Sequence, residues 1–413
     1  MNSTTAIIIG GGVIGLSTAY HLARKQFGRI ILIEKNHIGA GASSRAGGII
    51  TSLLWGEAGV RARQISLDLY HELSDELPGY TFHDVGCLNL FDPPSWPERE
   101  QLLPLYDRLQ ASYEILSAAE MHARWPALHP ADELIGLHDP LGGYSEPEFY
   151  VPALAQRVRD LGVEIYEETQ VTSLVEWNGR IAGVTITDTA NVDGKNTIEG
   201  DVVICTTHVW SNILLKRFDI QMPMKAFVHQ RYVTMPLPAP VDTTVNSPVN
   251  IPAVNANPHD GYIRPESGNR LLAGIETALR EEHRVGSLDF QMPTLTVPDS
   301  LQDELATNLT PLVPALAQMH WDTKKVGLIC FSIDGEPILG PVTQLPGLLL
   351  GCAFHSGGFA YNPVAGLLLA QLAVDGNTEI DISTFSPNRF DTAVSADYLA
   401  STIPQAHAVQ RRH

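Results

Sequence analysis

Ala6-Ile7-Ile8-Ile9-Gly10-Gly11-Gly12-Val13-Ile14-Gly15 is an apolar run that stops abruptly in glycines. The run suits a strand buried on both faces, and a helical pattern follows the glycines as far as Lys25. Gly10, Gly12 and Gly15 stand at the GxGxxG spacing. The first glycine permits a tight turn, the second lets the backbone approach a pyrophosphate, and the third lets helix and strand pack closely. The helix N-terminus, with Val13 and Ile14 in its first turn, then offers unpaired N–H groups and partial positive charge to phosphates. A second apolar run at residues 30–34 ends in Glu34, whose carboxylate can accept hydrogen bonds from a ribose, with Lys35 beside it. Strand, glycines, helix, strand and acid in that order predict a βαβ unit that binds a dinucleotide. Glu34 disfavours NADP, whose extra phosphate prefers an arginine, but leaves NAD and FAD both open.

The chain has 413 residues, 44% hydrophobic and 18% charged, with a formal charge of -19. One core stops growing near ~250–300 residues, so two lobes are expected. The acidic excess argues against nucleic acid or an anionic membrane surface as partner. No apolar run reaches the ~18 residues of a membrane span. Cys87, Cys205, Cys330 and Cys352 form no CxxC pair, a pattern of buried thiols in a reducing compartment rather than a disulfide frame or metal site. The first five residues carry no basic stretch, so the cytoplasm is the expected location.

From about Trp55 to Leu77 the pattern is helical, and the Pro- and Trp-containing stretch Asp92–Pro97 leads towards another lobe. Parallel-sheet character returns near Val163–Tyr166 and Asp201–Cys205, which makes the first lobe discontinuous. The runs Arg231–Thr234, Tyr262–Arg264 and Arg270–Gly274 are short, alternating and separated by Pro, Asn and Gly, as in an antiparallel sheet. A last strand at Gly347–Gly351 leads into a glycine loop and a helix expected to start at Asn362-Pro363, an N-cap with proline at the first helical position. The expected architecture is an α/β Rossmann-like nucleotide-binding domain over residues 1–80, 145–218 and 324–390. An α+β substrate domain with a mainly antiparallel sheet takes residues 81–144 and 219–323, and 391–413 form a polar tail.

Further motifs extend the pattern: Gly39-Ala40-Gly41-Ala42-Ser43-Ser44-Arg45-Ala46-Gly47-Gly48, Gly142-Gly143-Tyr144, Tyr262-Ile263-Arg264-Pro265 and Asp334-Gly335-Glu336-Pro337-Ile338-Leu339-Gly340-Pro341. They continue with Ser356-Gly357-Gly358-Phe359, then Pro363 and Gly366, and end at Arg389-Phe390. Together they resemble the flavoprotein amine-oxidoreductase family that includes D-amino acid oxidase, glycine oxidase, sarcosine oxidase and dimethylglycine dehydrogenase. The resemblance implies FAD as cofactor. Residues 43–48 would lie along the pyrophosphate and flavin, and the backbone of Val171 at the adenine. Gly335 and the loop His355 to Phe359 would approach the flavin, with the Asn362-Pro363 helix aiming its positive end at the N1 and C2 carbonyl edge. Family members that tether FAD through histidine place it where this chain has Arg45, and those that use cysteine place it where Gly327 stands. Neither residue forms that bond, so noncovalent FAD is implied.

The same resemblance implies oxidation of an amine or amino acid by hydride transfer to flavin N5, followed by imine hydrolysis. The amine must react as the neutral form, which calls for a base near neutral pH. His229 resembles the histidine of the dimethylglycine-oxidising branch and Tyr262 an active-site tyrosine, while His355 is a rival that can instead cap backbone groups. Where sarcosine oxidases hold a carboxylate with arginine and lysine, Thr51 and Ala360 stand. Arg264 is the remaining candidate to anchor an acid, or else braces the sheet. Leu272 stands near the place of an oxygen-activating lysine, so oxygen and another electron acceptor both stay open. A secondary or N-alkylated amino acid or amine is the expected substrate. The alternatives are a flavin-dependent 2-hydroxy acid oxidoreductase and a flavoprotein subunit that passes electrons to a partner rather than to oxygen; a homo-oligomer and a hetero-oligomeric subunit both stay open as assemblies. His208 departs from the small-residue pattern usual in its segment.

Overall fold

The computed structural model describes residues 4–187, 196–237, 250–276 and 280–408. Six strands form the first sheet in the order Ile338–Pro341, Leu348–Cys352, Val202–Cys205, Thr5–Ile9, Arg29–Ile33, Glu164–Tyr166. Every neighbouring pair is parallel except the first. Ile9 pairs with both Cys205 and Ile33, so three strands end level and open a crevice at their carboxyl ends. Successive side chains of the first strand feed different cores. Ala6 and Ile8 pack with the helices, and Ile7 and Ile9 pack on the opposite side with Val203 and Leu350.

Helices Val13–Arg24 and Gly358–Asp375 lie together on one face of that sheet, and Glu57–Glu76 packs against the second of them. The approach is close enough that a Cβ at Gly366 would overlap Ser17. The Ser17 hydroxyl donates to Pro363 O at 3.3 Å, and His21 Nε2 lies 3.1 Å from the same carbonyl.

The last helix starts at Gly358, not at Asn362, and holds Pro363 in its interior. Proline there deprives Phe359 O of its usual N–H donor. Two side chains replace it: Asn362 Nδ2 donates to Phe359 O at 2.5 Å and Tyr70 OH donates at 2.6 Å. Tyr150 OH in turn donates to Asn362 Oδ1 at 2.8 Å. The expected N-cap is therefore a buried repair of the helix one turn in, and the positive end of the helix falls at the glycine loop itself.

The second sheet has nine strands, in the order Phe354–His355, Trp321–Ser332, Met224–Thr234, Arg270–Ile275, Gly261–Glu266, Ala253–Ala256, Cys87–Phe91, Ile135–Asp139, Glu114–Ser117. All neighbours are antiparallel except Ala253–Ala256 with Cys87–Phe91. Trp321–Ser332 pairs along its length with Met224–Thr234, so the chain returns to the first lobe after Ser332, later than the expected boundary at 324. The expected tail also differs. Asp391 caps a helix over Thr392–Ala400, and Lys225 Nζ donates to Ser401 O at 2.6 Å. All four cysteines are buried and free. Among the described residues no helix is long and apolar enough to cross a membrane.

Asn362→Ala should cost about 1–3 kcal/mol, because it strips a donor from Phe359 O and an acceptor from buried Tyr150. Urea unfolding measures it. Tyr70→Phe, which removes the other donor, should combine with it non-additively. Independent costs would show that the two side chains do not share one carbonyl.

Candidate functional site

Gly10 has φ of +106°, which an L side chain rarely adopts. A Cβ at Gly15 would stand 2.0 Å from Gly10 O. Helix Val13–Arg24 can therefore start directly above the strand end only if both residues are glycine. Of its first amides, Val13 N donates to Ser43 Oγ at 3.0 Å. Glu34 receives Gly11 N at 2.8 Å on one oxygen and Asn36 N at 2.9 Å on the other. Burial raises its pKa from the ordinary carboxylate range against the pull of those two amides. The bonds fix the carboxylate at the crevice and leave lone pairs for hydroxyl donors.

A cavity of about 240 Å³ joins this crevice to the second sheet. Its wall takes Gly10, Gly12, Val13, Ile14, Glu34, Lys35, Gly41, Ala42, Ser43, Arg45, Ala46, Gly47 and Gly48 from the first motif region. Val171, Gly327, His355, Ser356, Gly358 and Phe359 also line it, together with His229 and Tyr262. Of the other residues singled out in the sequence, Gly15, Ser44, Gly335 and Gly357 lie off this wall. Gly15 packs behind the turn. Gly335 sits in a turn where Arg389 grips Asp334 with two bonds, at 2.8 and 2.9 Å. The Asp334 to Pro341 block and Arg389-Phe390 thus meet in one staple.

The wall is suited to a dinucleotide. The Ser356 hydroxyl is buried with no hydrogen-bond partner among the described residues, and helix starts at Val13 and Gly358 both open onto the space. Lys35 Nζ donates to Leu288 O and Phe290 O at 2.8 and 2.6 Å and lies 4.0 Å over the Trp210 ring. At that end Lys35 and Val171 were read from the sequence, whereas Trp210, Leu288 and Met292, which carry no motif, were not.

Residues facing the cavity from the second sheet follow strand alternation. His229 pairs with Gly327 and Tyr262 with Gly274. Both glycines leave room: a Cβ at 274 would overlap the Tyr262 ring, and one at 327 would stand 2.8 Å from Arg45 Cδ. His229 and Tyr262 rings lie 5.9 Å apart. His229 Nδ1 lies 3.0 Å from Gln230 O, and Nε2 lies 3.9 Å from Glu276 Oε1. Glu276 lines the wall and was missed in the sequence, although alternation through Leu272 and Gly274 points to it. Burial pushes the Tyr262 phenol up to about 12. His355 takes φ of +47° and its Nδ1 accepts from Gly357 N at 3.1 Å, so it closes the loop on itself.

Neither residue expected to meet the substrate faces this space. Thr51 is fully buried off the wall and donates to Asp139 Oδ2 at 2.9 Å. Arg264 is also fully buried off the wall, donating to Gly47 O and Pro265 O at 2.6 Å each and pairing with Glu266. It braces the loop against the sheet, and its cation is already matched by acids. Arg45 is pinned as well, donating to Val326 O at 2.7 Å, Gly41 O at 2.6 Å and Ala40 O. His208, left without account in the sequence, adopts φ of +51° and places Nε2 3.2 Å from Leu328 O.

A glycine turn under a helix start, an acid at the neighbouring strand end and a cavity shared with a second sheet define a dinucleotide-binding protein of two lobes. Residues 5–372 match the model of the family described as FAD dependent oxidoreductase, and the chain belongs to that family, with FAD as its cofactor. It is similar to the mitochondrial dimethylglycine dehydrogenase of Rattus norvegicus, 24% identical over 95% of this chain and 45% of the relative. It is also similar to glycine oxidase of Pseudomonas putida, 26% identical over 93% of this chain and 98% of the relative. Its fold is like that of L-proline dehydrogenase from P. horikoshii, with TM-score 0.82 at 23% identity over 94% of this chain and 98% of that one. The chain spans about half the length of the dimethylglycine and sarcosine dehydrogenases it matches, 45% and 42%.

Burial lowers the pKa of His208 and of His21 from 6.5 to about 4 in each case. The unfolded chain binds these protons near pH 6.5, whereas the folded protein resists them until about pH 4. Stability should be full above that window and fall as pH drops through it. The melting temperature of His208→Asn should fall less steeply between those pH values. An unchanged slope would remove His208 from the account.

Proposed function

We propose that this chain oxidises the carbon–nitrogen bond of an amine or amino acid, with a secondary or N-alkylated one as the preferred class. The observation that carries the reading is His229, which faces the cavity wall opposite the glycine loops with a carboxylate near its outer nitrogen. FAD would be held by the turn at Gly10 and Gly12 with the amides of Val13 and Ile14, by Ser43, and by Glu34 and Lys35 at the sugar end. Val171 would meet the adenine, and the loop from His355 to Phe359 would meet the flavin. When bound, the flavin supplies the two-electron acceptor for the substrate's hydride.

His229 Nδ1 faces a carbonyl that can only accept, so the neutral ring keeps its proton there and its lone pair on Nε2. That lone pair can take the proton of an incoming ammonium, which frees the nitrogen electrons that assist hydride departure. Tyr262 stays protonated at neutral pH and acts as a hydroxyl that bounds and orients the substrate. His355, whose Nδ1 is spent on Gly357, positions the loop. The amino-acid and N-methyl-amine chemistry named for the relatives supports the substrate class. Arg45 lies across Gly327, filling both places where a covalent tether would arise, so FAD is bound reversibly.

An anaerobic panel of amines, amino acids and 2-hydroxy acids, scored by bleaching of the flavin absorbance, tests the reading. Amines or amino acids should bleach it, and bleaching by hydroxy acids alone would overturn the assignment. His229→Asn should slow reduction by about 10²-fold or more and move its pH dependence. Denaturation should release all the yellow colour into the filtrate, whereas colour left on the polypeptide would contradict reversible binding.

A further inference from the structure

We propose that Arg63, buried behind the loop that meets the flavin, favours the reduced cofactor over the oxidised one, so that the chain holds FAD more tightly after hydride transfer than before it. This rests on the placement of the flavin against the loop from His355 to Phe359 given above, and it adds a residue that no motif marks.

Arg63 stands on helix Glu57–Glu76 and is fully buried. Its Nη2 presses on the loop from behind. A Cβ at Gly357 would stand 2.2 Å from that nitrogen, so glycine is what lets the guanidinium come so close. On either side of Gly357, Ser356 and Gly358 line the cavity, as do His355 and Phe359. The charge therefore lies one residue behind the wall, beside the positive end of helix Gly358–Asp375.

The groups that touch the guanidinium are neutral. Nη1 donates to Thr51 O at 3.4 Å, and the Tyr361 side chain is its other close partner, with the ring 4.2 Å away. Nε and Nη2 have no hydrogen-bond partner among the described residues. Tyr361, Tyr70 and Cys87 bear most on Arg63, and burial raises all three, which keeps them protonated. Glu336 bears on the Tyr361 phenol. Asp139 is joined to Arg63 through Thr51, whose hydroxyl donates to it, as do Ser52 N, Ser52 Oγ and Leu141 N. Burial holds the Asp139 carboxyl above the ordinary range, whereas a carboxylate paired with a guanidinium would fall below it. Arg63 is thus a buried cation without an ion pair among the described residues, and such a charge draws any negative charge that forms nearby.

Hydride brings two electrons and one proton to a neutral ring and leaves it with one negative charge, while the amine departs as an iminium cation. Arg63 is off the wall, so it acts on that charge through the loop, as a positioning residue. Binding and reduction form a closed cycle. Whatever factor Arg63 adds in favour of the reduced state must appear again as tighter binding of reduced FAD.

Arg63→Met fills the space without the charge, and Arg63→Lys keeps the charge. Equilibrating the holoenzyme with a dye of known potential should show the reduced state about tenfold or more less favoured in Arg63→Met, a fall of about 30 mV for each tenfold. On anaerobic ultrafiltration the unaltered protein should retain reduced FAD better than oxidised FAD, and Arg63→Met should lose that advantage by the same factor. Arg63→Lys should recover part of both. The unaltered holoenzyme also gives a test that needs no variant. With the anion favoured, one proton accompanies two electrons, and the potential should fall by about 30 mV per pH unit from about pH 6 to about pH 8. His355, His229, Tyr262 and Glu276 line the same cavity and stay in place in Arg63→Met, so a steeper slope there reports the lost charge. A slope of about 60 mV per unit in the unaltered protein, an unchanged potential in Arg63→Met, or equal losses in Arg63→Met and Arg63→Lys overturns the proposal and leaves the carbon–nitrogen reading standing. A flavin that amines and amino acids never bleach is the separate failure of that broader reading.

Discussion

The close approach of Gly15 to the carbonyl of Gly10 sets the geometry on which everything else depends. It brings a helix start over the ends of three level strands, with Ser43 bonded to its first amide and Glu34 fixed beside it. No side chain could lie between strand and helix at that point, so the space in front is kept for a ligand. The helix is then held from behind by Gly366 and Pro363 of the last helix. Because that last helix begins at Gly358, a second positive end opens onto the same cavity. Two helix termini, brought together by one packing contact, give the space its preference for an anionic and electron-accepting guest.

The second sheet contributes in a different way. Its cations face the first lobe, where Glu146 and Glu148 at the start of helix Pro147–Asp160 receive them. The lobes are thus joined through ion pairs, and the part of the wall that the second sheet supplies carries His229, Tyr262 and Glu276.

Much of this was legible in the chain. The run Ala6 to Gly15 and the acid at Glu34 specify a local unit whose spacing has few other physical explanations, and the strands around it carry unbroken apolar runs. The substrate side was harder to read. Arg264 has the chemistry of a carboxylate anchor, and its commitment elsewhere shows only in three dimensions, where Gly47 O and Glu146 from far off in sequence join its near neighbour Glu266. Glu276 belongs to no motif and is reached by counting alternate residues past Gly274. Asn362-Pro363 has the composition of a helix start, but its neighbours Tyr70 and Tyr150 turn it into an internal repair. In each case the deciding contact comes from a distant segment that local pattern does not contain.

Arg45 lying across Gly327 has a consequence for the protein's life in solution. With FAD held by contacts alone, as proposed, the loaded fraction would follow mass action, and resistance to unfolding would rise with the logarithm of free FAD. The polypeptide would then accept, lose and regain its prosthetic group, so the supply of the vitamin-derived nucleotide would set how much working enzyme a given amount of chain provides.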